Sequence, residues 1–220
     1  MKNKFALLAL LITCAATSQI GVEPEKNEVF ESAHEKGSVS FRPSIGWISQ
    51  KVEISRNPQY LSHEFKDSNI AIGLEVEYVL PTNRNKLAVI IEPNYSQFKA
   101  KSEYDNPGPT NGQVMLEFKK VSVPVGLRYK MFLTDETKAF LSGVFVPNFI
   151  SGAHYSYSMN PTTGAYLEET SYGFGLGFGF EYKPVSIEFR YNTNVGLNPN
   201  YDVSYGQFGL ILRYTVFRIK

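Results

Sequence analysis

The chain is poor in the features that announce most chemistries. It has a single cysteine, Cys14, in 220 residues, and three histidines, His34, His63 and His154. One cysteine closes no internal disulfide. Because it lies within the first eighteen residues, a mature chain keeps no thiol nucleophile. No two of the histidines stand at a metal-ligand spacing, so neither a metal nor any other cofactor is expected. Charge of one sign is also missing: 22 basic residues stand against 21 acidic ones. That balance gives no electrostatic footprint for nucleic acid. No apolar run approaches the roughly 18 residues a membrane-crossing helix needs, and no glycine-rich phosphate loop opens a helix.

Aromatic residues, by contrast, are plentiful, with 14 Tyr and 16 Phe, while mean hydropathy is slightly negative at −0.21. Many aromatics at low mean hydropathy suit a wall whose apolar outer positions alternate with polar inner ones. A soluble sandwich or a lipocalin-like barrel could share that composition.

Residues 1–18 read as an export signal. Lys2 and Lys4 form the basic start, Phe5 to Ile12 the apolar stretch, and Ala16-Thr17-Ser18 a small-x-small cleavage site. Two readings of Cys14 stand: a lipidated residue following Leu11-Ile12-Thr13, or a bystander within the signal. Residues 19–36 are polar and Glu-rich, a flexible periplasmic leader. From Gly37 to the end the chain alternates.

Tyr172, Phe174, Leu176, Phe178, Phe180 and Tyr182 occupy every second position, with Ser171, Gly173, Gly175, Gly177, Gly179 and Glu181 between them. Period two is a strand with one large apolar face. Glycine on the other face is costly unless something packs closely against it, as in a narrow barrel interior. Similar phases run through Val39–Ile48, Ile70–Tyr78, Leu87–Tyr95, Val121–Lys130, Ala139–Phe149, Val185–Asn192 and Phe208–Thr215. The expected fold is all-β, a transmembrane antiparallel barrel of about eight strands in up-and-down order, spanning residues 37–220. Gaps at 51–67, 100–112, 155–168 and 196–203 are long, and those at 81–86, 132–137 and 183–184 are short. Short periplasmic turns and longer outer loops are the rule in such barrels, which puts both termini in the periplasm and the chain in the outer membrane.

If the apolar phase meets lipid, the lumen receives Arg42, Glu75, Glu77, Glu92, Arg128, Lys130, Glu181, Glu188, Arg190 and Arg213, five acids against five bases. Opposite charges in a space only just wide enough for side chains should pair. The bland reading is an ion-paired plug, and the sharper one a charged constriction passing small solutes. His154, Ser156 and Glu168 offer a base, a nucleophile and a carboxylate, with a spacing similar to that of outer-membrane lipid A deacylases. Residues 157–167 read as loop, however, and the expectation is no enzyme. Tyrosines near strand ends read as interfacial girdles, and Tyr155, Tyr157 and Tyr166 alternatively as a binding platform.

The stretch Phe118-Lys119-Lys120-Val121-Ser122-Val123-Pro124-Val125-Gly126-Leu127-Arg128-Tyr129-Lys130 resembles a strand of the PorT-like, porin-family small outer-membrane β-barrels of Bacteroidetes. The resemblance implies an outer-membrane barrel and suggests an accessory role in a secretion apparatus. The expected function is thus structural or surface-accessory, with a narrow porin, a secretion accessory and a lipid-modifying hydrolase as alternatives. Its expected partners are outer-membrane lipid and other envelope proteins, without nucleic acid.

Overall fold

A computed structural model of the chain describes the backbone of residues 37–56, 60–82, 86–104, 112–157, 160–196 and 202–219. It describes side chains over 37–53, 64–82, 86–102, 113–154, 170–194 and 204–219. The expected export signal and leader, with His34, therefore lie outside the described residues, as do the side chains of His63, Tyr155, Ser156, Tyr157, Tyr166 and Glu168.

Eleven strands make eight staves. β1 (Val39–Arg56), β2 (Tyr60–Val79), β7 (Thr137–Tyr157), β8 (Asn160–Tyr182) and β9 (Val185–Gly196) run without a break. The other three staves are pairs: β3 (Leu87–Ile91) with β4 (Asn94–Tyr104), β5 (Gly112–Ser122) with β6 (Val125–Phe132), and β10 (Asp202–Tyr214) with β11 (Phe217–Ile219). Each stave pairs antiparallel with the next, and β1 closes the ring by pairing with β10 and β11 on one side and β2 on the other. Closure leaves no free sheet edge at the seam, which the hydrocarbon interior of a bilayer requires.

Two of the interruptions are proline breaks, at Glu92-Pro93 and Val123-Pro124. Proline has no N–H, so the ladder must break there. The freed donors bond across to proline carbonyls instead: Leu74 N–H to Pro93 O at 3.0 Å, Glu92 N–H to Pro124 O at 2.9 Å, and Val123 N–H to Pro147 O at 3.0 Å.

The apolar belt runs around the lower half of the wall. On β8, Tyr172, Phe174, Leu176, Phe178, Phe180 and Tyr182 all face outward. On β2 the belt extends from Ile70 to Tyr78, and on β7 from Leu141 to Phe149. These stretches match the 9–11 residues with which a β-strand crosses a bilayer.

Above the belt the pattern inverts, in the same phase on β1, β2, β4, β5 and β10 and across a bulge between Ile150 and Ala153 on β7. Inward positions become apolar: Val52, Phe65, Phe98, Ala100, Val114, Leu116, Phe118, Ile150, Ala153 and Tyr205 form one buried cluster. Outward positions become charged, with Lys51, Glu53, Glu64, Lys66, Lys99 and Glu117 exposed in ion pairs. The upper half is a collar built like a small soluble barrel, oily inside and wet outside.

This corrects two of the expected loops. Residues 51–67 and 155–168 are in large part strand, since the staves continue past the belt to Arg56 and Tyr157 and resume at Tyr60 and Asn160. Of 100–112 and 196–203 the described residues are the strand ends, up to Tyr104 and Gly196 and again from Gly112 and Asp202. The short turns stand as expected, between Val79 and Leu87, Phe132 and Thr137, and Tyr182 and Val185.

Candidate functional site: the filled lumen

Every expected lumen charge points inward and is buried: Arg42 from β1, Glu75 and Glu77 from β2, Glu92 at the proline break after β3, and Arg128 and Lys130 from β6. Glu181 comes from β8, Glu188 and Arg190 from β9, and Arg213 from β10. Period two explains the convergence, because residues two apart on a strand share a face, and in a closed barrel all inward faces meet.

The charges form one continuous network. Arg128 lies 2.7 Å from Glu75, 2.9 Å from Glu77 and 3.1 Å from Glu188. Arg42 reaches Glu75, Glu77 and Glu181 at 3.3, 2.9 and 3.3 Å, and its Nε donates to Thr215 Oγ1. Lys130 bridges Glu77 and Glu181. On the other side Arg190 pairs with Glu92 and Glu188, each at 2.9 Å. Arg213 completes the ring, 2.7 Å from Glu92 and 2.8 Å from Glu188. Its Nε also lies 3.0 Å from Glu75, without hydrogen-bond alignment. Ser142 Oγ donates to Glu188 as well, and the Arg128 guanidinium stacks over Phe140, 4.4 Å from the ring centre.

Glycine makes room for this cluster. A Cβ on Gly177 would sit 2.1 Å from Glu188 Oε1 and 2.6 Å from Ser142 Oγ. Along the glycine face of β8 the close side-chain neighbours are Asn194 at Gly173, Asn192 at Gly175, Glu188 at Gly177 and Phe140 at Gly179.

Two inward bases escaped the sequence reading. Lys138 on β7 is buried and pairs with Glu181 at 3.1 Å. Lys120 on β5 is buried higher up, where its ammonium donates to Gln50 Oε1 and Gln207 Oε1, both at 2.8 Å. With them the lumen carries, among the described residues, seven buried bases and five buried acids, correcting the expected balance of five and five. Lys120 was detectable, two residues before inward Ser122 and so in phase with it. Lys138 was masked because Phe140, Val144 and Val146 share its inward face, so β7 is apolar on both sides.

Above the ions lies an amide layer of Gln50, Asn148, Asn192, Asn194 and Gln207, with a void of about 30 Å³ bordered by Glu92, Asn94, Ser122, Arg190 and Asn192. That is room for one or two water molecules. The apolar cluster of the collar stands above it. The lumen is thus filled by three stacked materials: ion pairs, amides and hydrocarbon. Of the alternative hydrolytic set only the His154 side chain is described, half-buried on β7 beside the bulge at Gly152.

Among curated proteins no relative is found by sequence. Among solved structures the chain is similar to the outer membrane protein OprG of Pseudomonas aeruginosa, at 13% identity and a TM-score of 0.53, over 84% of this chain and 97% of that one. It is also similar to Ail of Yersinia pestis, at 18% identity and 0.45, over 84% and 100%. Neisserial surface protein A compares at 17% and 0.47, over 82% and 99%. At these identities the likeness speaks for the fold alone. A family model, the outer membrane protein beta-barrel domain, matches residues 44–206. With a closed ring, a lipid-facing belt and that match over most of its length, the chain belongs to the outer membrane protein β-barrel domain family and is an outer-membrane protein.

Proposed function

We propose that this chain is a sealed, non-catalytic outer-membrane barrel with a structural or surface-accessory role, its collar standing on the external side and both termini on the periplasmic side. The observation that carries this reading is the filled lumen. A solute moving along the axis would have to displace Arg128 and Arg213 from carboxylates within 3.1 Å, then part an apolar cluster. An unpaired charge in such a space is strongly disfavoured. The orientation draws support from the short turns at the ionic end, where outer-membrane barrels place their periplasmic turns.

Planar-bilayer recording tests the seal. Purified protein inserted at defined copy number should leave conductance at the bare-bilayer level. Reproducible unitary steps from the unmodified chain would replace this reading with that of a narrow porin. The resemblance around Phe118–Lys130 supports a second, more specific role as an accessory of a secretion apparatus. Its test is recovery of defined envelope proteins after cross-linking in intact cells.

A further inference from the structure

The outward face of β2, β1, β10 and β9 is ordered in rows. Register places Ile70, Trp47, Leu210 and Phe189 side by side at the top of the belt. The next row up is Ser68, Ser49, Phe208 and Tyr191, and the one above it Lys66, Lys51, Gly206 and Thr193. A fourth row begins with Glu64 and Glu53, directly opposite one another. Apolar, then small and aromatic, then basic is the order in which a bilayer changes from hydrocarbon to headgroup.

A groove of about 580 Å³ opens in the middle rows, lined by Ser49, Lys51, Lys66, Ser68, Tyr191 and Phe208, with Gly206 in its floor. Lys51 and Lys66 are directly opposed across the β1–β2 ladder, and like charges so placed repel. Glu64 sits above them and meets both, at 2.8 and 2.6 Å, while Glu53 takes a second bond from Lys51. These contacts hold the Lys51 ammonium above its usual range and the Glu64 carboxyl below its own. Each ammonium has three donors, so one on Lys51 and two on Lys66 remain for the groove. Asp67 also borders it, but its oxygens already accept from Ser68 N–H, Asn69 Nδ2 and Lys99 N–H.

We infer that this groove binds the anionic phosphate of a membrane-lipid headgroup, the phosphate between Lys51 and Lys66 and the lipid body over Phe208, Tyr191 and Trp47. The occupant is a lipid rather than a soluble anion because the floor of the groove is continuous with the lipid-facing belt. The inference rests on the membrane belt and is independent of whether the lumen conducts.

Trp47 is the only tryptophan in the chain and stands one row below the groove, half exposed to lipid. The full chain is reconstituted in phosphatidylcholine vesicles containing either brominated phosphatidylglycerol or brominated phosphatidylcholine, and quenching of Trp47 is compared. Phosphatidylglycerol should quench preferentially, by about fivefold per engaged lysine. The double variant Lys51→Gln/Lys66→Gln should bring the ratio to about one. Gly206→Leu should also lower it, since a Cβ there meets only Tyr191 Oη, at 3.5 Å, and the larger side chain fills the groove without backbone strain. Glu64→Gln should raise it by removing the carboxylate that both lysines share, which leaves Lys51 paired with Glu53 alone. These side chains lie on the outside of the wall, and a retained heat-dependent gel shift reports intact folding. Equal quenching by the two lipids, or a preference that survives the lysine variant, overturns the inference. So does loss of the preference in inorganic phosphate but not in chloride at matched ionic strength, which would mark a soluble-anion site.

Discussion

The backbone N–H of Lys99 on β4 donates to the carboxylate of Asp67 on β2, at 2.9 Å, where a strand ladder would ordinarily supply a carbonyl. β2 and β4 are paired only at Ile72–Tyr95 and Gly73–Asn94. Above that level no further backbone pairs join the two staves, and Asp67 bridges them through its side chain. A charged acceptor makes a stronger hydrogen bond than a neutral one.

Asp67 is therefore the clasp of the collar. Asp67→Ala should lower the hydrogen-exchange protection of the Lys99 amide by at least about tenfold, the equivalent of one charge-assisted hydrogen bond. The Val121 amide, in the belt, should keep its protection. Asp67→Asn, which preserves an acceptor, should fall between the two. Unchanged exchange at Lys99 in the alanine variant would mean that the seam is held by something other than this carboxylate.

Removing Arg128 should cost more stability than removing any surface charge. Its guanidinium meets Glu75, Glu77 and Glu188, so Arg128→Leu leaves three buried carboxylates short of a partner. A loss of about 3–5 kcal/mol is expected, as for one broken buried pair, read from urea unfolding of the lipid-inserted protein. Lys183→Ala, which breaks the exposed pair with Glu136, should leave the midpoint where it was, since exposed pairs contribute little. Similar midpoints for the two variants would show that water or rearrangement compensates inside the lumen.

How far these features were legible in the sequence depends on height along the staves. Within the belt the reading of β8 is immediate, because Phe174 to Phe180 alternate with glycine and only one face can meet lipid. In the collar the same strands present Lys51, Glu53, Glu64 and Lys66 outward, and polar residues of this kind read as loop. The inward residues there, Val52 and Phe65, are isolated apolar positions in a charged stretch, and nothing local tells a core from a chance hydrophobe. The ion-paired lumen follows from phase alone for ten residues. The contact between Asp67 and the Lys99 amide depends on where neighbouring staves run, which no single strand encodes.

The glycine face of β8 makes a sharper prediction than glycine content alone. Gly177→Ala places a methyl group 2.1 Å from Glu188 Oε1, and Glu188 cannot retreat because Arg128, Arg190 and Arg213 hold it. Overpacking of this kind costs about 1–3 kcal/mol. Gly143→Ala on β7 is the control, because a Cβ there meets only Leu176 Cδ2, at 3.9 Å. The first variant should unfold at lower urea than the second. Indistinguishable midpoints would mean that the network adjusts around an added methyl.

The inversion between belt and collar predicts opposite responses on one strand. Leu74 and Ser68 both face outward from β2, the first in the middle of the belt and the second at its upper edge. An arginine on the lipid face of a barrel costs about 2–4 kcal/mol at mid-membrane and about 0–1 near the interface. Leu74→Arg should therefore destabilise the lipid-inserted protein by the larger amount and Ser68→Arg by the smaller. Phe65, three residues above Ser68, faces inward and is fully buried, so its response should follow core rules. Phe65→Ala should cost about 3–5 kcal/mol through lost burial and the cavity it leaves. Such a profile means that lipid ends near Ser68 and that the collar is held by its own interior. Equal costs for arginine at 74 and 68 would instead place the upper membrane boundary above Ser68 and turn the outward lysines of the collar toward hydrocarbon, which their charge forbids.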